Sequence, residues 1–266
     1  MAFLHRSATT VRAWLALALI AALLLAVLSG LIYTVATVLS GGKPARVSVG
    51  SHGQTTPRAA EPSTVQLQDT LAAKAMTQLP ASAAFPQPLA QTAAGPPIRL
   101  PAATSTSGLV PTGFPHTPQG ALAQLAAIDV RALRDLAPVQ VARVHQWATV
   151  PGADALREWT PFVAASAARA ASGLTDGSAA LESTFTPVAG QIKGTVGADF
   201  VVACVLGEWQ VTYRATSRAG AADCQRRVWS RGRWRIGAGD QPAYAPSAWP
   251  GSADAVRAGW RRLADA

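Results

Sequence analysis

The sequence predicts an α+β domain, helices packed on a curved antiparallel sheet, carried behind an N-terminal membrane helix and a long tether. Three observations lead there. An uncharged stretch of 27 residues fills positions 13–39. Nine of the nineteen prolines crowd into 41–101, whereas seven of the eight tryptophans lie from Trp147 onward. Near Leu181 the hydrophobic period changes from helical to alternating.

The apolar stretch AWLALALIAALLLAVLSGLIYTVATVL exceeds the roughly 20 residues that cross a hydrocarbon core. A cleavable leader has an apolar core of only about 7–15 residues. Residues 13–39 therefore read as a single-pass transmembrane helix, with cleavage after Ala36 as the alternative. No cysteine lies just behind it, which excludes a lipoprotein anchor. Arg6 and Arg12 precede the span and Lys43 and Arg46 follow it, a nearly even balance under the positive-inside rule. A short tail (1–12) ahead of the first apolar segment, with a long domain behind, favours a cytoplasmic tail and a C-terminal domain outside the cytoplasm.

Residues 40–107 are rich in Pro, Ala, Thr and Ser without sustained periodicity, the composition of a disordered linker. Within them VQLQDTLAAKAMTQL (65–79) has helical character, read as a transient helix in the tether. The folded part is expected over 108–266, an ordinary domain size.

Its first helix follows HTPQGALAQLAAIDVRALRDLAP: Thr117 can cap, Pro118 suits the first helical position, and Pro138 marks an end. Leu122, Leu125, Leu133 and Leu136 form one apolar stripe. Asp129 falls on that stripe, and a buried carboxylate must find a partner or stay neutral. It reads as an acid paired with an arginine at the edge of the core, or as a carboxylate in a cavity wall. Two more helical stretches follow, PVQVARVHQWA and ADALREWTPFVAASAARAAS, with Pro161 expected to end or kink the second.

The segments TFTPVAGQI, ADFVVACVL and EWQVTYRAT are rich in β-branched and aromatic residues and read as strands. Residues 200–206 are apolar on both faces, so that strand is expected to be covered on both sides, and Gly207 is a natural bulge. RVWSRGRWRI supplies a last hairpin turning at Arg231–Gly232, which pairs Trp229 with Trp234 and puts Arg227 on their side, Arg226 and Arg235 opposite.

Arginine interleaved with aromatics is what nucleic-acid binders use, but a backbone-tracking groove gathers its charges on one side. The formal net charge is +9 overall, yet 108–266 carries sixteen basic against twelve acidic residues. Nucleic acid is therefore not expected to be contacted directly, and the arginines read as a solvated sheet edge beside a structural tryptophan pair. Cys204 and Cys224 both fall in strands; in an exported domain they can bridge or remain two buried thiols, since the simplest hairpin register does not set them opposite.

The four histidines (5, 52, 116, 145) are scattered without ligand spacing, and no nucleophile elbow, phosphate loop or paired-carboxylate motif occurs. Neither cofactor nor catalytic residues are expected. The C-terminal WPGSADAVRAGWRRLADA reads as an amphipathic helix capped by Ser252, with Val256, Trp260 and Leu263 on one face, packed on the sheet or on a partner subunit.

Two segments, GFPHTPQGALAQLAAID and ADCQRRVWSRGRWRIGAGDQPAYAPSAWPGSADAVRAGWRRL, resemble membrane proteins carried on integrative and conjugative elements of high-GC Gram-positive bacteria. In plan these are similar to the single-span assembly factors of type IV secretion and conjugation. The resemblance implies a cystatin-like domain of the nuclear transport factor 2 superfamily, built as a cone. It implies a non-enzymatic, membrane-anchored scaffold of a conjugative DNA-transfer or secretion complex, with membrane or secretion proteins, or further copies of itself, as partners. Trp229, Trp234 and Trp260 would then be packing or interface anchors. The alternative of another class is an extracytoplasmic ligand-binding or sensing domain with Asp129 in its cavity.

Overall fold

The structure, a computed structural model, describes residues 62–153, 155–174 and 181–266. The tail, the membrane span and residues 40–61 of the expected tether lie outside the described residues. Over 62–266 the architecture is α+β: helices pack on a curled, half-barrel sheet whose ladders are antiparallel except at one edge.

The helical layer is α2 (Pro118–Ala132), α3 (Pro138–Ala148) and α4 (Thr160–Ser172); α1 (Thr64–Ala73) lies apart from it on the other side of the sheet. Helix α2 starts as expected: the Thr117 side chain accepts from Gly120 N–H, and Pro118 sits in the first turn, where its missing donor costs nothing. A Cβ at Gly120 would stand 2.0 Å from Pro115 O, so only glycine lets the entering chain fold over the first turn. Leu122, Leu125 and Ile128 are fully buried, contributing about 2 kcal/mol each by area removed from water. In α4, Pro161 lies in the first turn, so the proline expected to end the preceding helix opens this one instead. Gly173, at φ 64°, closes it.

The sheet runs in the order β1-β6-β2-β3-β4-β5, with β1 (Ile98–Leu100), β2 (Glu182–Val196), β3 (Phe200–Tyr213), β4 (Ala215–Ser230), β5 (Arg233–Ile236) and β6 (Arg261–Asp265). Central β3 is apolar on both faces because both are covered. Val201, Ala203 and Val205 join the core under α2, while Phe200, Val202, Cys204 and Leu206 pack on the opposite side. The hairpin β4–β5 turns at Arg231 and Gly232, both with positive φ, and sets Trp229 opposite Trp234.

Four expectations are corrected. The bulges that bend the sheet lie in β2, between Pro187 and Ala189 and between Ile192 and Gly194, and not at Gly207, which stays in register with Pro187 and Ala221. Gly207 lacks a side chain for another reason: a Cβ there would meet Phe185 Cζ at 2.4 Å.

The register also sets Cys204 opposite Cys224, because the β3–β4 hairpin reverses around Arg214, at φ 59°, with Tyr213 paired to Ala215. The two cysteines form a disulfide with Cα atoms 4.0 Å apart. Of the two readings left open by the sequence, the bridge is the one formed.

The C-terminal segment is helical only over α5 (Ala253–Arg257). Ser252 caps it as expected, but Gly259, at φ 84°, breaks the helix and Arg261–Asp265 continues as β6 between β1 and β2. Trp260 and Leu263 consequently pack on opposite faces of the sheet, in place of one shared helical face.

Finally, residues 62–107, expected as disordered linker, are folded: α1 and the chain just after it pack on the second face of the sheet, and β1 joins the sheet edge with Ile98 in the core on the helical side. A Ser63–Gln66 capping box starts α1. Asp69 pairs with Arg226 at 2.8 Å, and Lys193 Nζ donates to Ala72 O and Lys74 O at 3.0 and 2.6 Å. Ala72, Ala83 and Ile98 are buried. A composition poor in large apolar residues reads as tether, yet small side chains suffice here because the sheet supplies the large ones.

The disulfide closes a sequence separation of 20 residues, which constrains the unfolded chain by about 3 kcal/mol in the loop-entropy account. Chemical denaturation of the full-length protein should show its midpoint fall on reduction, and fall equally in Cys204→Ala/Cys224→Ala. Two titratable thiols in the unreduced native protein would contradict the pairing.

Candidate functional site

Strand β4 carries Asp223, Gln225, Arg227 and Trp229 at every second position, so all four point toward the helical layer. Asp129 meets them from α2. Asp129, Gln225 and Arg227 are each at most 1% exposed and Asp223 is 4% exposed, a concentration of buried polar groups that an inner sheet face does not need for packing.

Within the cluster Arg227 Nη2 donates to Trp234 O at 3.0 Å, and Asp223 Oδ1 accepts from Gln225 Nε2 at 3.0 Å. Burial pushes the Asp129 carboxyl well above its usual range; the charge of Asp223 adds to this and that of Arg227 opposes it. Asp223 is raised too, by burial, but Gln225, Thr160 and Trp159 beside it favour its charged form. Burial lowers Arg227 to about 9 despite both acids. Two acids facing one arginine balance when they hold one proton between them. Asp223, beside its donors, is the acid that favours the charge, and Asp129, with no hydrogen-bond partner for either oxygen among the described residues, is the one that favours the proton.

The sequence singled out Asp129 alone. The structure adds Asp223, Gln225 and Arg227, and the signal was present as polar residues spaced by two on the face that Trp229 marks as inward. Asp129 and Asp223 line a cavity of about 20 Å³ between α4 and the sheet, with Thr160, Pro161, Phe185 and Trp209 among its walls. That is room for about one water-sized group.

The tryptophans are packing residues first. Trp234 is buried, donates Nε1–H to Pro115 O at 2.9 Å, and meets Trp229 edge-on at 5.3 Å between centroids. Half-buried Trp229 is stacked by His116, whose Nε2 lies 2.8 Å from Asp199 Oδ1. Trp260 is buried on the other face, its Nε1–H donating to Pro246 O at 3.0 Å. Trp147 carries Arg233 over its ring at 4.1 Å.

The arginines do not form the solvated edge expected of them. Arg227 is inside and Arg226 is 3% exposed, held by Asp69 and the Phe200 ring; Arg231 at the turn is exposed. The face assignment made from the alternation holds, but both central arginines are covered, Arg227 by the helical layer and Arg226 by α1 and the glycine-rich segment at Gly239. Among the described residues no group of three or more His, Cys, Asp or Glu side chains could hold a metal ion.

Comparisons with protein-family models, with curated proteins and with solved structures return no match.

The acid cluster fixes a sign for the pH dependence of stability. A carboxyl whose folded pKa is raised stabilises fully below its unfolded value, near 3.9, and that contribution is lost as pH rises through the folded value. Asp129→Asn should therefore match the parent protein near pH 4 and unfold at higher temperature than it at pH 7–8. Arg227→Ala, which leaves the acids without their cation, should cost about 3–5 kcal/mol at neutral pH. Thermal unfolding at pH 4, 6 and 8 checks both; an Asp129→Asn protein that loses ground to the parent as pH rises would contradict the proton assignment.

Proposed function

We propose that the chain is a non-enzymatic, membrane-anchored scaffold of a conjugative DNA-transfer or secretion complex, with a nuclear transport factor 2-like domain presented outside the cytoplasm. The observation that carries this reading is the closed interior of the half-barrel. Its inner face is filled by α2 and by the Asp129–Asp223–Arg227 cluster, leaving about 20 Å³, whereas sites for metabolites need about 300 Å³ or more. A roomier hollow of about 280 Å³, with Leu100, Phe114, Ala123 and Asp265 among its walls, lies outside that face at the β1–β6 edge; the filled inner face turns the reading toward contacts made by the outer surface. The Cys204–Cys224 bridge supports export, because disulfides persist in oxidising compartments. The 27-residue uncharged stretch supports the anchor. Between positions 39 and 62 the chain can reach at most about 83 Å, so the domain's partners are at or near the bilayer.

A second reading, an extracytoplasmic ligand-binding domain, is favoured by one observation: a buried acid, without a partner among the described residues, in the wall of the small cavity between α4 and the sheet.

Two measurements test the first reading. Full-length protein should remain in membranes through carbonate washing, and protease added to intact cells should destroy the tryptophan-rich part. Crosslinking in those cells, followed by capture and mass spectrometry, should return transfer or secretion components. Recovery of the intact chain from cytosol would end the anchor reading, and capture of no such component would end the scaffold reading.

A further inference from the structure

We propose that the pocket between α4 and the sheet is a binding site for a primary ammonium group, taken by Asp129 and Asp223 beneath the rings of Trp209 and Phe185. The inference does not depend on the scaffold reading; it follows from a count of donors, from size and from charge.

Both oxygens of Asp129 are buried without a hydrogen-bond partner among the described residues, and Oδ2 of Asp223 makes none there either, although Thr160 and Trp159 lie beside that carboxylate. Leaving such groups unsatisfied is costly. A primary ammonium brings three N–H donors and no acceptor, one donor for each open oxygen. Arg227 is not among the pocket-lining residues; its Nη2 is committed to Trp234 O, and its Nε and Nη1, like Trp159 Nε1, make no hydrogen bond to these oxygens.

Size selects among cations. The cavity of about 20 Å³ holds one water-sized group, which an –NH₃⁺ head matches and a guanidinium or quaternary ammonium exceeds. A divalent metal would want six or more oxygens, or a third protein ligand that is not found among the described residues. The pocket has an approach from solvent, since Thr160, Ala164, Trp209 and Ala221 at its rim are only half-buried. The rings of Trp209 and Phe185 in the wall favour a cation with an apolar stem.

Charge gives the same answer. The ionisable groups acting on Asp129 are Asp223 and Arg227 of β4; the helical layer also carries His145 of α3, its ring tilted against Trp159, and buried Arg169 of α4, each with an interaction of its own. Burial and the Asp223 charge together favour the protonated form of Asp129, Arg227 offsets them only in part, and a further cation facing the carboxyl would reverse the balance. Entry of R–NH₃⁺ supplies it: the Asp129 O–H bond breaks, its proton leaves to solvent, and the carboxylate keeps the electron pair and faces the ammonium. The same chemistry is offered by a free alkylamine and by a lysine side chain.

The test uses detergent-solubilised full-length protein at pH 7 and constant ionic strength, with methylammonium, cadaverine and Nα-acetyl-lysinamide as probes and tetramethylammonium and potassium as controls. Calorimetry in two buffers of different ionisation heat should show the primary amines binding with release of close to one proton. Thermal unfolding should shift upward with them and not with the controls. Asp129→Asn should weaken binding by roughly tenfold or more, as loss of a charged hydrogen-bond partner does, and abolish the proton release. Ala164→Leu, which fills the rim and leaves both acids in place, should block binding independently of any folding effect at position 129. Binding of cadaverine alone supports a free amine, and binding of the lysinamide alone a lysine donated by a protein. An equal shift with tetramethylammonium, no heat with any primary amine, or unchanged binding in both variants would overturn the proposal.

Discussion

The structure depends on one constraint: β3 is apolar on both faces over Phe200–Gly207 and cannot leave either face in water. The helical layer satisfies one side. The other side needs a cover that neither the helices nor the remaining strands can reach, and the chain supplies it from two distant places. One is the segment before β1, with α1 over Val202 and Phe200 and Met76 and Leu79 beside Cys204 and Leu206. The other is 240–260, with Trp260, Ala248 and Ala255 over Cys204, Leu206 and Cys224. The two covers are joined by Ala243 N–H to Ala72 O at 2.9 Å and Trp249 N–H to Ala83 O. The second face is thus closed by a strap fastened at both ends of the domain, and β1 and β6 are where those ends pair with each other.

That closure explains which parts of the fold were legible in the sequence. The Thr117 cap, the Arg231–Gly232 turn and the Trp229–Trp234 pair rest on residues within a few positions of one another, and local chemistry is enough to place them. The two-sided burial of 200–206 was also readable, because a strand with no polar face declares it. What covers the second face was not. Residues 62–107 look like tether because their own apolar content is low, and only a sheet built about 100 residues later makes a folded segment of them. The C-terminal segment failed differently: Val256, Trp260 and Leu263 fit a helical spacing, but Gly259 in the left-handed region ends the helix between them. The disulfide was undecidable locally, since one residue of turn length decides whether Cys204 and Cys224 face each other.

At the site, the stripe through Leu122 and Leu125 predicted that Asp129 would be inside, and it is. The arginine partner assumed for it exists as Arg227, but not as a simple pair. A second acid, Asp223, competes for the same guanidinium and carries the hydrogen bonds. The spacing of Asp223, Gln225 and Arg227 puts them on one inward face, but their meeting with Asp129 is invisible in sequence, because about 95 residues separate them and they come together only once α2 is laid across β4. Asp223, Gln225 and Arg227, each taken alone, read as surface residues.

Helix α4 explains why the cluster coincides with a cavity. Six of its thirteen residues are alanine, and only Pro161, Ala165 and Arg169 are buried. Small side chains let the helix approach the sheet without filling the space above Asp129 and Asp223. A core selected for packing alone would put a larger residue at Ala164 and an uncharged one at 129, since a buried acid short of a partner costs stability that leucine or asparagine would not. The acid, the gap and the half-buried aromatic wall occur together at one seam between helix and sheet. A structural origin accounts for each singly, and a guest that needs all three accounts for their coincidence.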